Sequence, residues 1–185
     1  MTWALIIGGI VVVLLLFTIY LFNKIVRLRN EVNTGWSNID VQLKRRNDLI
    51  PNLVEAVKGY AAHERGVFEQ VTEARAAMAN ASSPGAAGEA DSLLGQAIGR
   101  LFAVAEAYPD LKASENFRQL QSELTDTEDK ISAARRYYNA TVQAYNTAIQ
   151  TFPSLLFAGA FGFEAREFFA ADQDERAPVA VSFQT

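Results

Sequence analysis

The side chains with the greatest potential for chemistry lie in two charged groups near the middle of the chain. The first is the stretch RRNDLIPNL, residues 45–53, which places two arginines, a carboxylate and a proline inside an apolar pattern. The second is an acidic cluster, formed by Glu123, Asp126, Glu128 and Asp129. Grouped carboxylates can hold Mg²⁺ or Ca²⁺, but they also form solvated faces or pair with arginines. We expect the second role, with no metal or cofactor. The candidate ion-pair residues are Arg45, Arg46, Asp126 and Asp129.

Arg46 is the sharper case, because it falls in a row of mostly apolar residues spaced by seven. A buried arginine without a partner would cost several kcal/mol. We therefore expect Arg46 to pair with a carboxylate of the acidic cluster and so to fix the register of two helices. An arginine that binds a ligand is the alternative.

The rest of the composition restricts the function classes. The chain has no cysteines, which excludes disulfides, thiolate nucleophiles and cysteine-based zinc sites. Its one histidine, His63, excludes a di-iron site built from Glu-x-x-His pairs, and we expect it at the surface. A net charge of −4 argues against general nucleic-acid binding. We predict no enzyme activity and no small-molecule substrate.

A tyrosine–asparagine pair occurs twice, at residues 138–139 and 145–146. Residues seven apart share one helix face. We expect this face to pack against another helix with hydrogen bonds, and a ligand cleft is the alternative.

The elements that position these residues begin with an uncharged apolar run from Ala4 to Phe22. At about 1.5 Å per residue, this run crosses a hydrocarbon core of about 30 Å. Trp3 and Tyr20 suit the two interfaces. A cleaved signal peptide and a buried helix are the alternatives, but no basic residue precedes the run and no cleavage site follows it. Residues 1–23 are therefore predicted to be a transmembrane anchor.

The charges beside the anchor predict its orientation. Lys24, Arg27 and Arg29 follow the run closely, whereas no basic residue precedes it. Basic flanks mark the cytoplasmic side. We expect a single-pass protein of the cell (inner) membrane, with its N-terminus outside and residues 24–185 in the cytoplasm.

After the anchor, the apolar residues keep helical period. Two rows spaced by seven form one stripe: Val32, Ile39, Arg46, Leu53, Tyr60 and Val67, and Trp36, Leu43, Ile50, Val57, Glu64 and Val71. The unbroken register predicts one helix from Asn23 to about Asn80, bent at Pro51. Alternatively, Asp48 caps a new helix there.

The remaining segments complete an all-α prediction. We expect an exposed loop over 80–91, a shorter helix that ends before 108–114, and Ser114 as the N-cap of a third helix. That helix carries a second apolar row: Phe117, Leu124, Ile131, Tyr138, Tyr145 and Phe152. Pro153 ends it, and a short fourth helix follows over 154–169. Residues 24–170 are predicted to form a mostly antiparallel, coiled-coil-like bundle of three to four helices, and 171–185 a disordered tail.

Three stretches carry a resemblance to a known family: VNTGWSNIDVQLKRRNDLIPNLVEAVKGYAAHE, AYPDLKASENFRQLQSELTDTEDKISAARRYYNATVQAYNT and FPSLLFAGAFGF. The chain resembles the LemA family of bacterial proteins from the anchor to about Phe169. The resemblance implies an N-terminal transmembrane helix with its short N-terminus outside, followed by a mostly antiparallel helical bundle. It implies no established enzyme activity, cofactor or catalytic residue. Magnetosome membrane proteins in the wider family suggest roles in membrane organisation.

We therefore expect a membrane-anchored helical scaffold that self-associates on the lipid bilayer and organises membrane or recruits partners. The second helix is shorter than the first, which would leave part of the long stripe uncovered for a partner. The expected oligomer contacts are Val32, Trp36, Phe161, Phe163, Phe168 and Phe169. The alternative is an adaptor or regulator of another membrane protein, such as a protease or transporter.

Overall fold

The computed structural model of the protein describes residues 2–169, except for the side chain of Ala4. The described part is helical and contains no strand. Its elements are α1 (Thr2–Lys58), α2 (Arg65–Ala79), α3 (Pro84–Glu106), α4 (Pro109–Ala113), α5 (Glu115–Gln150), α6 (Leu155–Ala158) and a 3-10 turn (Gly159–Phe161). The all-α prediction is confirmed for these residues.

Helix α1 runs without interruption from Thr2 through Pro51 to Lys58. The alternative in which Asp48 begins a new helix is therefore wrong. A proline inside a helix costs about 3 kcal/mol, because it removes one hydrogen bond and crowds the preceding turn. The cost is met by packing, since Ile50 and Leu53 on either side of Pro51 are fully buried.

The first helix ends earlier than predicted. The chain leaves α1 at Lys58 and begins α2 at Arg65, so the predicted continuation to Asn80 is wrong. Arg75 Nε donates to Asn47 Oδ1 at 3.3 Å, and the Lys58 ammonium lies 5.6 Å from the centre of the Phe68 ring. Residue numbers fall along α1 as they rise along α2, so α2 runs back beside α1.

The predicted loop over 80–91 shrinks to a turn of four residues between Ala79 and Pro84. Ser83 caps α3, since its Oγ accepts from the Ala86 N–H at 3.3 Å, and Pro84 occupies the first turn. Alanine is the best helix former, and proline is tolerated at a helix start. The alanine-rich stretch after Ser83 is therefore helical.

The bounds and the buried face of helix α5 agree closely with the second apolar row. Ser114 stands at its N-cap position, but its side chain makes no capping hydrogen bond. The row is buried from the start to Tyr145: Phe117, Leu124, Ile131, Tyr138 and Tyr145. Phe152, which ends the predicted row, lies beyond the helix and is 79% exposed.

Helices α1 and α5 run in opposite directions. The rings of Trp36 and Tyr138 lie 5.8 Å apart, and Arg46 lies against Glu128 further along. Gly35 permits the close approach, because a Cβ there would stand 3.3 Å from Tyr138 Cα. From Val32 to Val57 the stripe residues are buried within the protomer, apart from the half-buried Trp36. The expected uncovered part is therefore absent from α1, whereas Tyr60, beyond the end of α1, is 48% exposed.

The predicted fourth helix over 154–169 is wrong beyond Phe161. Helix α6 ends at Ala158 and the 3-10 turn at Phe161, and Gly162 adopts a left-handed conformation with φ of 70°. Residues 163–169 then form no helix. The tail predicted to be disordered, 171–185, lies outside the described residues.

The structure corrects half of the expected oligomer contacts. Val32, Phe163 and Phe169 are only 2%, 5% and 1% exposed, so they belong to the interior of the protomer. Trp36 is half-buried, against the rings of Tyr138 and Phe169. Phe161 and Phe168 remain exposed.

Candidate functional site

A buried ion network joins α1, α3 and α5 at Arg46. One terminal nitrogen of Arg46, Nη1, donates to Glu128 Oε2 at 2.5 Å. The other, Nη2, donates to the Asp91 carboxylate and to the Asp91 carbonyl oxygen, the latter at 3.1 Å. Arg46 is 1% exposed, so three helices meet on a guanidinium that has left water. Such a charge is tolerated only when it is paired.

The acidic cluster supplies one of these partners, Glu128, whereas Asp91 was missed. Asp91 fell in the predicted loop over 80–91, and loop residues are expected at the surface. The spacing of Asp91 offered a signal, since it stands seven residues before Ile98 and three before Leu94, at the intervals of one helix face. All three side chains are buried.

The candidate ion-pair residues separate in the structure. Arg45 Nη1 lies 4.0 Å from Asp126 Oδ2, and the Lys130 ammonium lies 2.7 Å from the same oxygen. The hydrogen bond from Lys130 and the positive charges of Lys130 and Arg45 lower the pKa of the Asp126 carboxyl. Arg45, Asp126 and Lys130 are all exposed, so both of these ion pairs lie on the surface. Within residues 2–169, Asp129 forms no ion pair with either arginine.

A cleft of about 350 Å³ opens beside the ion network, between α3 and α5. Its lining combines apolar, small and charged residues: Arg46, Gly95, Ile98, Gly99, Phe102, Leu124, Thr125, Glu128 and Asp129. A Cβ built at Gly95 or at Gly99 meets no atom within 4 Å, so the glycines leave this wall open. Arg46 Nε is buried here without a hydrogen-bond partner in the described structure.

The repeated asparagines of α5 hold the C-terminal segment, residues 163–169, which forms no helix. Asn146 Oδ1 accepts from the Arg166 N–H at 2.8 Å, and its Nδ2 donates to the Arg166 carbonyl at 2.9 Å. Asn139 does the same for Phe169, at 2.9 and 3.1 Å. Seven residues of helix rise about 10.5 Å, and three residues of extended chain span about 10 Å. The spacing of the repeat therefore matches the segment.

The tyrosines of the repeat lie beneath the same segment. Tyr138 Oη donates to the Glu167 carbonyl at 2.8 Å. Burial raises the pKa of both Tyr138 and Tyr145, because their charged forms would lose hydration. The predicted packing against another helix is present, since the Tyr138 ring lies 5.8 Å from that of Trp36 on α1. The hydrogen bonds of the repeat, however, go to the C-terminal segment of the same chain.

Helix α1 begins with an exposed apolar stretch. From Leu5 to Tyr20, no large apolar side chain is less than 48% exposed. Among the described residues, this is the one helix long and apolar enough to cross a membrane, and none of its most apolar window is buried.

The described residues present few groups for direct chemistry. His63 is exposed on the turn between α1 and α2. No group of three or more histidine, aspartate or glutamate side chains within residues 2–169 could hold a metal ion. The network around Arg46 joins three helices, and the paired asparagines hold the C-terminal segment in place.

The chain is similar to a known protein family and to several named proteins. The profile of the LemA family matches residues 35–183. A magnetosome protein MamQ from Magnetospirillum gryphiswaldense is 28% identical, over 80% of this chain and 64% of that protein. Magnetosome protein MamQ 2 from Paramagnetospirillum magneticum has the same identity and coverage. Protein LemA from Metamycoplasma hominis is 30% identical, over 86% of this chain and 74% of that protein. The chain thus spans somewhat less than two thirds of the magnetosome relatives.

Proposed function

Because the chain belongs to the LemA family and the described rest of the protomer leaves the apolar start of α1 uncovered, we propose that it is a membrane-anchored helical scaffold without catalytic activity. The observation that carries the proposal is the exposed apolar start of α1, from Leu5 to Tyr20. An apolar surface of this length is stable only in lipid or against a partner. Since α1 continues unbroken to Lys58, the anchor and the helical domain share one helix.

The charges beside the apolar stretch support an orientation with the N-terminus outside. Lys24, Arg27 and Arg29 follow the stretch, and none of the three is buried. Basic residues next to a span are retained on the cytoplasmic side. The chain after the span then faces the cytoplasm, and its described part, residues 24–169, forms a mostly antiparallel, coiled-coil-like bundle.

Single cysteines can test this topology, because the natural chain has none. Thr2→Cys and Ala62→Cys both place the thiol at an exposed position. In intact cells, a membrane-impermeant maleimide should label Thr2→Cys and should reach Ala62→Cys only after permeabilisation. Equal labelling of both before permeabilisation would contradict the single-pass topology, and the reverse pattern would contradict its orientation.

Self-association is proposed from the membrane attachment and from the apolar residues that the protomer leaves uncovered. Outside the apolar stretch, Val41 is 60%, Tyr137 48% and Phe168 44% exposed. Attachment confines protomers to a plane and raises their effective concentration, so weak contacts between such residues suffice. Two of the relatives are named magnetosome proteins, and for this chain we propose an organising role at a membrane.

Native mass spectrometry of the full chain in mild detergent tests the scaffold. We expect discrete multimers and their loss in the triple variant Val41→Ser, Tyr137→Ser, Phe168→Ser. A matched variant with three polar surface changes, Gln121→Ser, Gln143→Ser and Asn116→Ser, should leave them intact. Monomer alone from the unmodified chain would contradict self-association.

The cleft beside Arg46 supports a second candidate function, as an adaptor. The cleft lining contains two carboxylates, Glu128 and Asp129, and one cation, Arg46. Ile98, Phe102 and Leu124 add apolar surface. This combination suits a lysine or arginine side chain of a membrane-protein partner, whose apolar stem and charged end match the two kinds of lining.

A photo-crosslinking residue at Thr125, in the cleft, distinguishes the two functions. An adduct with a second protein, lost in Asp129→Asn and retained in Asp110→Asn, would favour the adaptor. Adducts with the same chain alone would favour the scaffold.

A further inference from the structure

One end of the apolar stretch of α1 lies against a second apolar element from the C-terminal part of the chain. The segment FPSLLFAGAFGF, residues 152–163, contains no charged residue, and we name it the C-terminal apolar turn. The ring of Phe161 lies 5.3 Å and that of Phe163 5.4 Å from the ring of Phe22, centre to centre. Phe22 is the last residue of the apolar run, so the turn stands at the level where the run ends.

The C-terminal apolar turn has a buried face and an exposed face. Ser154, Ala158 and Phe163 are buried against the helical domain. The exposed face consists of four large side chains: Phe152 (79%), Leu155 (59%), Leu156 (74%) and Phe161 (54%). No described part of the chain covers them. A soluble protein rarely exposes large apolar residues in such density unless a partner takes them up.

Basic side chains surround the same level of α1. Lys24 and Arg27 are exposed, and the Arg29 guanidinium carbon lies 5.4 Å from the centre of the Phe163 ring. Apolar residues next to exposed cations match the boundary between acyl chains and anionic headgroups. Another protein would have to supply a separate apolar surface at that depth, whereas the bilayer supplies it wherever α1 spans.

We propose that the C-terminal apolar turn enters the bilayer at the boundary of headgroups and acyl chains, beside α1. The inference rests on the proposed membrane span of α1. Each protomer then contacts the membrane at two places, the span and the turn. The asparagines of α5 hold residues 166–169 just beyond the turn, which fixes its depth relative to Phe22.

Depth-dependent quenching in reconstituted vesicles tests this inference with the full-length chain. Leu156→Cys carries an environment-sensitive NBD label, and vesicles contain phosphatidylcholine and phosphatidylglycerol. Nitroxide lipids carry the quencher either near the headgroup or near the end of the acyl chain. Leu14→Cys, within the span, reports the membrane insertion of α1.

Leu93→Cys is the matched control, because this leucine is also exposed, at 54%. It lies two residues from Asp91, which pairs with Arg46. Arg46 stands 24 residues after Phe22 on α1, which is about 36 Å along the helix. A label there should remain in water.

We expect the Leu156 label to be quenched several-fold more by the shallow nitroxide than by the deep one, and the Leu14 label to show the opposite preference. The Leu93 label should be unaffected. Quenching at Leu14 without quenching at Leu156 would overturn the inference and leave the span intact. An unquenched Leu14 label would overturn the span, and the inference with it. Blue-shifted but unquenched emission at Leu156 would assign the turn to a protein neighbour and overturn the inference.

Discussion

Two adjacent arginines of α1 have opposite environments. Arg46 is 1% exposed and joins Asp91 and Glu128, whereas the Arg45 side chain is 46% exposed and lies 4.0 Å from Asp126. Removing one member of a buried ion pair leaves a charge that has lost its partner and its hydration. An exposed ion pair is screened by water and contributes little to the free energy of unfolding. The two positions are therefore a matched test of burial.

We expect Arg46→Met to lower the free energy of unfolding by about 3 kcal/mol. Arg45→Met should change it by less than about 0.5 kcal/mol. Methionine keeps most of the side-chain volume in both variants, so the difference reports the charge. Denaturant unfolding of the full chain in detergent, followed by circular dichroism, gives both values. If both variants changed the free energy of unfolding by the same small amount, the Arg46 network would contribute no measurable stability.

The buried tyrosines predict a stability that falls at high pH. Burial raises the folded-state pKa of Tyr138 and Tyr145 above the ordinary value of 10.0. The folded state therefore keeps these protons at a pH where the unfolded chain loses them. The stability that they contribute is fully present below pH 10.0 and is lost as the pH rises through the folded-state values.

Thermal melting measured from neutral pH to above pH 10.0 checks this expectation. The double variant Tyr138→Phe, Tyr145→Phe should be less stable at neutral pH by about 1 kcal/mol, because Tyr138 loses its bond to the Glu167 carbonyl. Its further loss at high pH should be smaller than that of the unmodified chain. A parallel decline of both proteins would assign the alkaline loss to other groups.

At the scale of elements, the apolar rows predicted which faces pack but not where the chain reverses. Rows spaced by seven placed Ile39, Leu53 and Ile131 in the interior, where they are at most 1% exposed. The rows did not predict the reversal between α1 and α2. Val57 and Val71 lie on either side of the reversal, yet both are buried and both fit the same row spaced by seven. Periodicity reports burial, and the same burial is reached by a continuing helix or by one that turns back.

The conformation of the C-terminal segment could not be predicted from the sequence pattern, for a related physical reason. Its aromatic residues fit a helical face, yet residues 163–169 form no helix. What holds them is a set of side-chain hydrogen bonds from Asn139 and Asn146 to backbone groups. The asparagines are visible in the sequence as a repeat, but a backbone partner leaves no sequence pattern of its own.

The buried rows give a direct stability prediction. Leu53 and Ile131 are 0% and 1% exposed, so a carboxylate at either position would be buried without a partner. We expect Leu53→Asp and Ile131→Asp each to cost about 4 kcal/mol or more and to unfold the helical domain. Val41→Asp is the control, because Val41 lies on the same helix and is 60% exposed. Circular dichroism that stays unchanged in both core variants would contradict the assigned core.

The clamp that Asn139 and Asn146 form on the C-terminal segment can be tested by proteolysis. Asn146→Ala removes two hydrogen bonds to Arg166. At about 1 kcal/mol each, their loss favours local opening by roughly 30-fold. Tryptic cleavage after the exposed Arg166 should accelerate in this variant. Gln143→Ala removes only a bond to the Thr147 hydroxyl, and its cleavage rate should match that of the unmodified chain. Equal rates in all three would show that the clamp does not hold the segment.

At the scale of the whole molecule, the shared helix α1 links the membrane to the far end of the helical domain. The part of α1 from Asn23 to Lys58 contains 36 residues. At 1.5 Å per residue it is about 54 Å long, and an ordinary tilt of about 20° leaves a height of about 50 Å. The turn between α1 and α2, which contains His63, should therefore stand far from the bilayer, and the C-terminal apolar turn should lie at its surface.

Energy transfer to acceptor lipids in the headgroup layer measures this height. A donor dye at Asn30→Cys, on an exposed position of α1, lies about 12 Å along the helix from Phe22 and should transfer strongly. A donor at Ala62→Cys should transfer weakly, because the helical domain stands upright on its anchor. Strong and equal transfer from both positions would mean that the domain lies along the membrane, pivoting where the span ends. That result would leave the outward-facing side of α1, which carries the exposed Val41, no longer free along its length for contacts with a second protomer.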